Sequence, residues 1–120
     1  MKTWAVVGLG NNPERAAFGV AKLLQDKGHR IIPVYPRAET VHGEVGYKTL
    51  SEIPGPVDVV DCFVNSTLVG KVVDEAIAIS AKAIWLQLDV IDNDAIARAQ
   101  AAGLVTVMDR CPAIEYRKKS

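Results

Sequence analysis

Ala5-Val6-Val7-Gly8-Leu9-Gly10-Asn11-Asn12-Pro13 is an apolar run that breaks into a glycine turn and then into the start of a helix. Glycine lets the backbone turn sharply without a Cβ clash, and the first N–H groups of the following helix have no internal partner and can face an anion. The stretch therefore predicts a strand, a phosphate-binding turn and a helix in immediate succession. Asn12 is the expected N-cap and Pro13 the first helical residue. Ala17, Val20, Ala21 and Leu24 supply a buried stripe at helical spacing, and Gly28 supplies a left-handed stop.

Beyond that unit the chain continues to alternate short β-rich runs with amphipathic helical segments, the pattern of a parallel sheet covered on both faces. Strands are expected at about residues 4–9, 30–34, 57–63, 83–88 and 104–108. Val69, Val72, Val73, Ala76 and Ile77 mark a second helix with Ser66 or Thr67 as its cap. A third, from about Asp92 to Ala102, buries Ala95, Ile96 and Ala99 and stops at Gly103. Between the second and third strands, residues 37–56 hold Gly43, Gly46, Pro54, Gly55 and Pro56. These breakers leave room for one helical turn, at Leu50-Ser51-Glu52-Ile53. The expected fold class is α/β, a doubly wound five-stranded parallel sheet in the order 3-2-1-4-5 with helices on both faces. Its ligand crevice is expected at the carboxyl ends of strands one and four.

The chain has 120 residues, 49% of them hydrophobic, which suits a single domain over residues 1–120 with an ample core. Fourteen Lys and Arg balance fourteen Asp and Glu, so there is no basic excess to hold a nucleic-acid backbone. No apolar run approaches membrane-spanning length, and Met1-Lys2-Thr3-Trp4 leads straight into strand pattern, so a soluble, cytoplasmic protein is expected. Cys62 and Cys111 lack the short spacing of a zinc site or redox pair and are expected as free thiols.

The second strand bears on which nucleotide the turn would serve. A nicotinamide dinucleotide site wants an Asp or Glu about 20 residues after the glycines to hold ribose hydroxyls. Here the chain reads Ile32-Pro33-Val34-Tyr35-Pro36-Arg37, with no carboxylate before Glu39 and with a cation, Arg37, where a phosphate could sit. A phosphorylated ribose fits this arrangement better than a free one.

Gly8-Leu9-Gly10-Asn11-Asn12-Pro13-Glu14-Arg15, Ile32-Pro33-Val34-Tyr35-Pro36, Val57-Asp58-Val59-Val60-Asp61, Ala83-Ile84-Trp85-Leu86-Gln87 and Met108-Asp109-Arg110-Cys111-Pro112-Ala113-Ile114-Glu115-Tyr116 together resemble the small stand-alone CoA-binding proteins. Those are similar to the CoA-binding domain of the succinyl-CoA synthetase alpha subunit. The resemblance covers nearly the whole chain and implies a Rossmann-like fold with CoA or an acyl-CoA as the ligand. It implies that Gly8, Gly10, Asn11 and Asn12 line the phosphate turn with Arg15 as counter-charge. Pro33, Val34, Tyr35 and Pro36 would wall the adenine, and Phe63 would flank the pantetheine path. Gly10, Val64, Asp89 and Ala113 stand where family members often have Ser, Arg, Gly and Lys, which implies weaker CoA binding or a related ligand.

The remaining polar residues have plainer expectations. Gln87 is a polar contact near the crevice, and Trp85 is core packing. Cys62 is core; His29 and His42 are solvated; one of Asp58 and Asp61 caps a backbone group at the crevice. Cys111 could form a mixed disulfide with a thiol ligand, but no His lies near it to favour the thiolate. No Ser-His-Asp order, carboxylate pair or metal cluster offers a catalytic apparatus. The reading is a non-catalytic binding module for a nucleotide-thiol ligand, acting as sensor, carrier or regulatory partner, with a second copy or a larger enzyme as its protein partner. The alternatives are an NAD(P)-binding domain of the reductase type and a redox or interaction protein using Cys111.

Overall fold

The computed structural model describes residues 2–110. Strands β1 (Thr3–Val7), β2 (Arg30–Val34), β3 (Val59–Cys62), β4 (Ala83–Leu86) and β5 (Val105–Val107) alternate with helices α1 (Ala16–Asp26), α2 (Ser66–Ala78) and α3 (Asn93–Ala101). A single 3-10 turn, Leu50–Glu52, interrupts the long connection from β2 to β3. The five strands pair in parallel throughout, which makes this a Rossmann-like α/β sheet.

The strand order is β2-β1-β3-β4-β5, not the 3-2-1-4-5 expected from sequence. Pro33 shows why. Proline has no N–H for a ladder and belongs on an edge. Val34 turns its carbonyl inward to Gly8 N at 2.8 Å, so the neighbouring Pro33 turns its main chain outward, where its carbonyl accepts from Tyr47 N at 3.0 Å. A third strand on that side would have met a missing donor. The connection instead lays Tyr47 along the edge and returns to place β3 beside β1, with Val6 opposite Asp61.

Alternation along the strands divides the interior into two layers. Trp4, Val6, Ile31 and Val59 pack under α1, whose Ala17, Val20, Ala21 and Leu24 are buried as expected. Ala5, Val7, Val60, Cys62, Ile84 and Leu86 face Val69, Val73 and Ala76 of α2 and Ala95, Ile96 and Ala99 of α3. Helices thus cover both faces, and truncating such a fully buried Leu to Ala costs about 2–5 kcal/mol.

Helix ends follow the glycines more closely than the caps. Gly28 and Gly103, each at φ +91°, end α1 and α3. Asp92 caps α3 by accepting from Ala95 N at 3.0 Å. At α1 the expectation fails, because Asn12 and Pro13 do not begin the helix. Asn12 Oδ1 accepts from Glu14 N and its carbonyl from Arg15 N, both at 3.0 Å, so residues 12–15 form a separate turn. Asn at the first and Pro at the second position suit such a turn as well as they suit a helix start. The N-cap of α2 is Asn65, and Ser66 instead ties the loop after β4, donating to Asp89 O and accepting from Ile91 N.

Candidate functional site

Gly8 is held between two strand ends: its N–H reaches Val34 O, and Phe63 N reaches Val7 O at 2.9 Å. At φ +100° it occupies a conformation that side chains resist, and a Cβ there would meet Phe63 O at 3.1 Å. Gly10 is bare for a different reason, since a Cβ there would lie 2.8 Å from Glu39 Oε1 and 3.6 Å from the Tyr35 ring. The turn therefore offers main chain directly to a cleft of about 420 Å³. Of the residues expected there, Gly8, Gly10, Asn11, Asn12, Arg15, Tyr35 and Arg37 all line it, together with Pro13 and Glu39.

A second cleft of about 230 Å³ lies on the other side of the α1 start. Gly8 and Arg15 line both clefts, so the two meet at the glycine turn. Phe63 and Gln87, both expected near the ligand, line the second, with Ala16, Ala17, Leu88 and Val90 beside them. Gln87 is only 6% exposed and its Oε1 has no hydrogen-bond partner. No side chain caps the start of α1 and no acidic residue stands in its first turn, which leaves the positive end of its dipole to the clefts.

Three expected contacts are not brought to either cleft. Val34 is 3% exposed and packs into the α2–α3 layer, and Pro33 is buried on β2, so neither lines these two clefts. Pro36 is exposed but lines neither cleft. The crevice takes in the ends of strands one and four but extends beyond them. The reversal of strand order falls between β1 and β3, and the clefts sit over the ends of β1, β2, β3 and β4.

Asp89 stands at φ +67°, a conformation that favours glycine, and its N–H is held by Asp109 Oδ1 at 2.7 Å. Asp58 does cap a backbone group, Thr3 N at 2.8 Å, but at the end of the sheet away from the clefts. That hydrogen bond, aided by Lys82 at 3.4 Å, holds its carboxyl below the usual range despite some desolvation. His42 is not simply solvated: its Nε2 meets Phe18 O at 2.8 Å and its ring packs 4.3 Å from that of Phe18, fastening the β2–β3 connection to α1. His29 also has partners, accepting from Lys2 N at 3.2 Å and packing on Trp4, and desolvation with nearby positive charge lowers its pKa. Trp85 is half-buried, and its Nε1 donates to Arg110 O at 2.7 Å.

Cys62 is fully buried, and burial together with neighbouring Asp61 pushes its thiol well above the ordinary value, which removes it as a nucleophile. Cys111, Ala113, Ile114 and Tyr116 lie outside the described residues. Among the described residues no three His, Cys, Asp or Glu side chains gather into a metal site, and no helix is long and apolar enough to cross a membrane.

Glu39, Leu88 and Val90 line the clefts beyond the residues expected there. Leu88 and Val90 follow directly on a strand whose carboxyl end faces the crevice, which is a usable signal. Glu39 had none, being 28 positions from Asn11 in an irregular connection.

The family model described as the CoA binding domain matches residues 2–117. Over 110 residues the chain is 34% identical to the uncharacterised protein YneT of Bacillus subtilis (strain 168), covering 92% of this chain and 82% of that one. A shorter match, 39% identical over 71 residues, is to the acetate–CoA ligase (ADP-forming) II subunit alpha of Pyrococcus furiosus; it covers 54% of this chain and 16% of the subunit. A solved structure of a hypothetical protein from Pyrococcus horikoshii OT3 superposes with a TM-score of 0.93 at 37% identity, covering 98% of this chain and 82% of that one. A dinucleotide-forming acetyl-coenzyme A synthetase of Ca. Korarchaeum cryptofilum shares the fold, with a TM-score of 0.79 at 21% identity over 90% of this chain and 26% of that one.

Proposed function

The chain belongs to the CoA-binding domain family, and on that premise we propose that it binds CoA or an acyl-CoA as a non-catalytic module, a sensor, carrier or regulatory partner. The observation that carries the reading is the pair of clefts meeting at Gly8 and Arg15. The ligand's nucleotide end lies in the first cleft, its diphosphate beside the turn with Arg15 and Arg37 as counter-charges, and Tyr35 flanks the adenine. The pantetheine arm passes Gly8 into the second cleft between Phe63 and Leu88. There the orphaned Gln87 Oε1 is an acceptor suited to an amide N–H of that arm. Related domains sit within larger ligases, and a larger enzyme of that kind is the partner we propose, in the cytoplasm.

Glu39 favours a second reading, because it brings into the cleft the carboxylate whose apparent absence argued against a nicotinamide dinucleotide. Thermal denaturation with CoA, acetyl-CoA, NAD, NADP and ATP separates the two. A ligand at 100 times its Kd adds about 2.7 kcal/mol, a rise of several degrees in Tm for a domain of this size. CoA or acetyl-CoA raising Tm supports the proposal; a rise with NAD alone overturns it.

A further inference from the structure

Glu39 is the one carboxylate among the described residues lining the first cleft, and its position there is specific. Its Oε1 accepts from the N–H of Asn11 at 3.3 Å. The same oxygen stands over the bare main chain of Gly10, 2.8 Å from where a Cβ would lie. A donor that the glycine turn offers to an anion is thus already taken by an anion of the same chain.

The connection after β2 brings the carboxylate there. Ala38 N closes a turn on Tyr35 O at 2.8 Å, with Ala38 itself at φ +50°. Asn11 Nδ2 then ties down Thr40 O at 2.7 Å. These bonds fix the main chain on either side of Glu39 and leave its side chain held by one long, exposed hydrogen bond. Arg15 and Arg37 line the same cleft, and among the described residues neither forms a salt bridge with Glu39. The carboxylate therefore offsets part of their combined charge without being locked to either.

We infer that Glu39 is a specificity-determining residue of this cleft: its carboxylate holds the place of a ligand phosphate at the Asn11 amide, and an incoming phosphate must displace it and bind beside its charge. The inference rests on the reading of the cleft as an anion site, not on the identity of the whole ligand. Each negative charge a ligand carries into the cleft is opposed by Glu39 as well as attracted by Arg15 and Arg37, so Glu39 sets how much anionic charge the turn accepts.

The test compares wild type with Glu39→Gln and Glu39→Ala by calorimetry, using CoA and inorganic pyrophosphate as probes at several salt concentrations. Gln keeps an oxygen for the Asn11 amide and removes only the charge; Ala removes both. Glu39→Gln is expected to lower the Kd of both probes about tenfold, through loss of one like charge at close range, and to steepen their salt dependence. A structural tether would not alter the salt dependence in that direction. The amide resonance of Asn11 is expected to move in Glu39→Ala without ligand, and to respond to less pyrophosphate in Glu39→Gln than in wild type. Unchanged or weaker binding of both probes by the variants overturns the inference. Tighter pyrophosphate binding with no CoA binding by any form leaves it standing and removes the CoA reading; equal CoA and pyrophosphate binding by all forms does the reverse.

Discussion

Asp61 stands directly opposite Trp85 in the β3–β4 pairing, and neither oxygen of its fully buried carboxyl has a hydrogen-bond partner. Trp4, on the same face of the sheet and packed 5.7 Å from Trp85, also leaves its Nε1 unpartnered. An isolated buried charge is far costlier than a buried neutral acid, so burial pushes the Asp61 carboxyl well above the ordinary range.

Asp61→Asn removes this titration while nearly preserving volume. Above an unfolded-state carboxyl pKa of about 3.9, the unfolded chain releases a proton that folded Asp61 retains, so this residue's contribution to stability declines as pH rises toward its raised folded value. The variant lacks that decline. Its stability relative to wild type is therefore expected to be greater at pH 7.5 than at pH 4, the difference shrinking as the pH falls toward the unfolded-state value. Urea denaturation of both proteins at several pH values measures it, and a difference that does not vary with pH contradicts the assignment.

Gly8→Ala and Gly10→Ala separate the two ways in which the turn needs glycine. At Gly8 the backbone is left-handed and the added carbon meets the fixed carbonyl of Phe63 at 3.1 Å, so a loss of about 1–3 kcal/mol is expected. At Gly10 the nearest obstacle is the movable end of Glu39, so the loss is expected to stay below about 1 kcal/mol. Denaturation midpoints at matched m-values distinguish them, and equal losses would refute the distinction.

The contrast bears on how much of this protein its sequence makes legible. β2 is found where its residues place it, at Arg30–Val34, and Gly28 and Gly103 end their helices, because these depend on neighbours in the chain. Strand order depends on where an irregular connection goes, and the decisive hint, Pro33 as an edge residue, is a single missing N–H. The glycine turn, Arg15, Tyr35, Arg37, Phe63 and Gln87 reach the clefts because each follows a strand end or opens a helix. Glu39 arrives by long-range folding, and Asp61 is buried without the partner that usually accompanies a carboxylate inside a protein.

Gln87→Met tests whether the orphaned acceptor serves a ligand. Replacing it by a thioether of similar length removes an unsatisfied buried oxygen, so stability without ligand is expected to stay equal or to rise by up to about 1 kcal/mol. Binding of CoA is expected to weaken about tenfold, since the amide N–H that Oε1 would accept loses its partner. Calorimetry and denaturation on the same preparation read the two effects. A stability loss with unchanged affinity would make Gln87 a packing residue alone.

Asn12→Asp places a charge in the first cleft without disturbing the turn that builds it. Asn12 Oδ1 accepts from Glu14 N, and an Asp oxygen accepts the same bond, so the unfolding free energy is expected to change by less than about 0.5 kcal/mol. Because Asn12 lines the cleft with Arg15 and Arg37, the new carboxylate opposes a ligand's diphosphate and offsets their charge further. CoA affinity is expected to fall about tenfold at low salt and by less at high salt, where such repulsion is screened. In Glu39→Gln/Asn12→Asp the two changes leave the cleft's net charge as in wild type, so its affinity is expected to return toward the wild-type value. A double variant as weak as Asn12→Asp alone would show that the two carboxylates do not act on one bound anion.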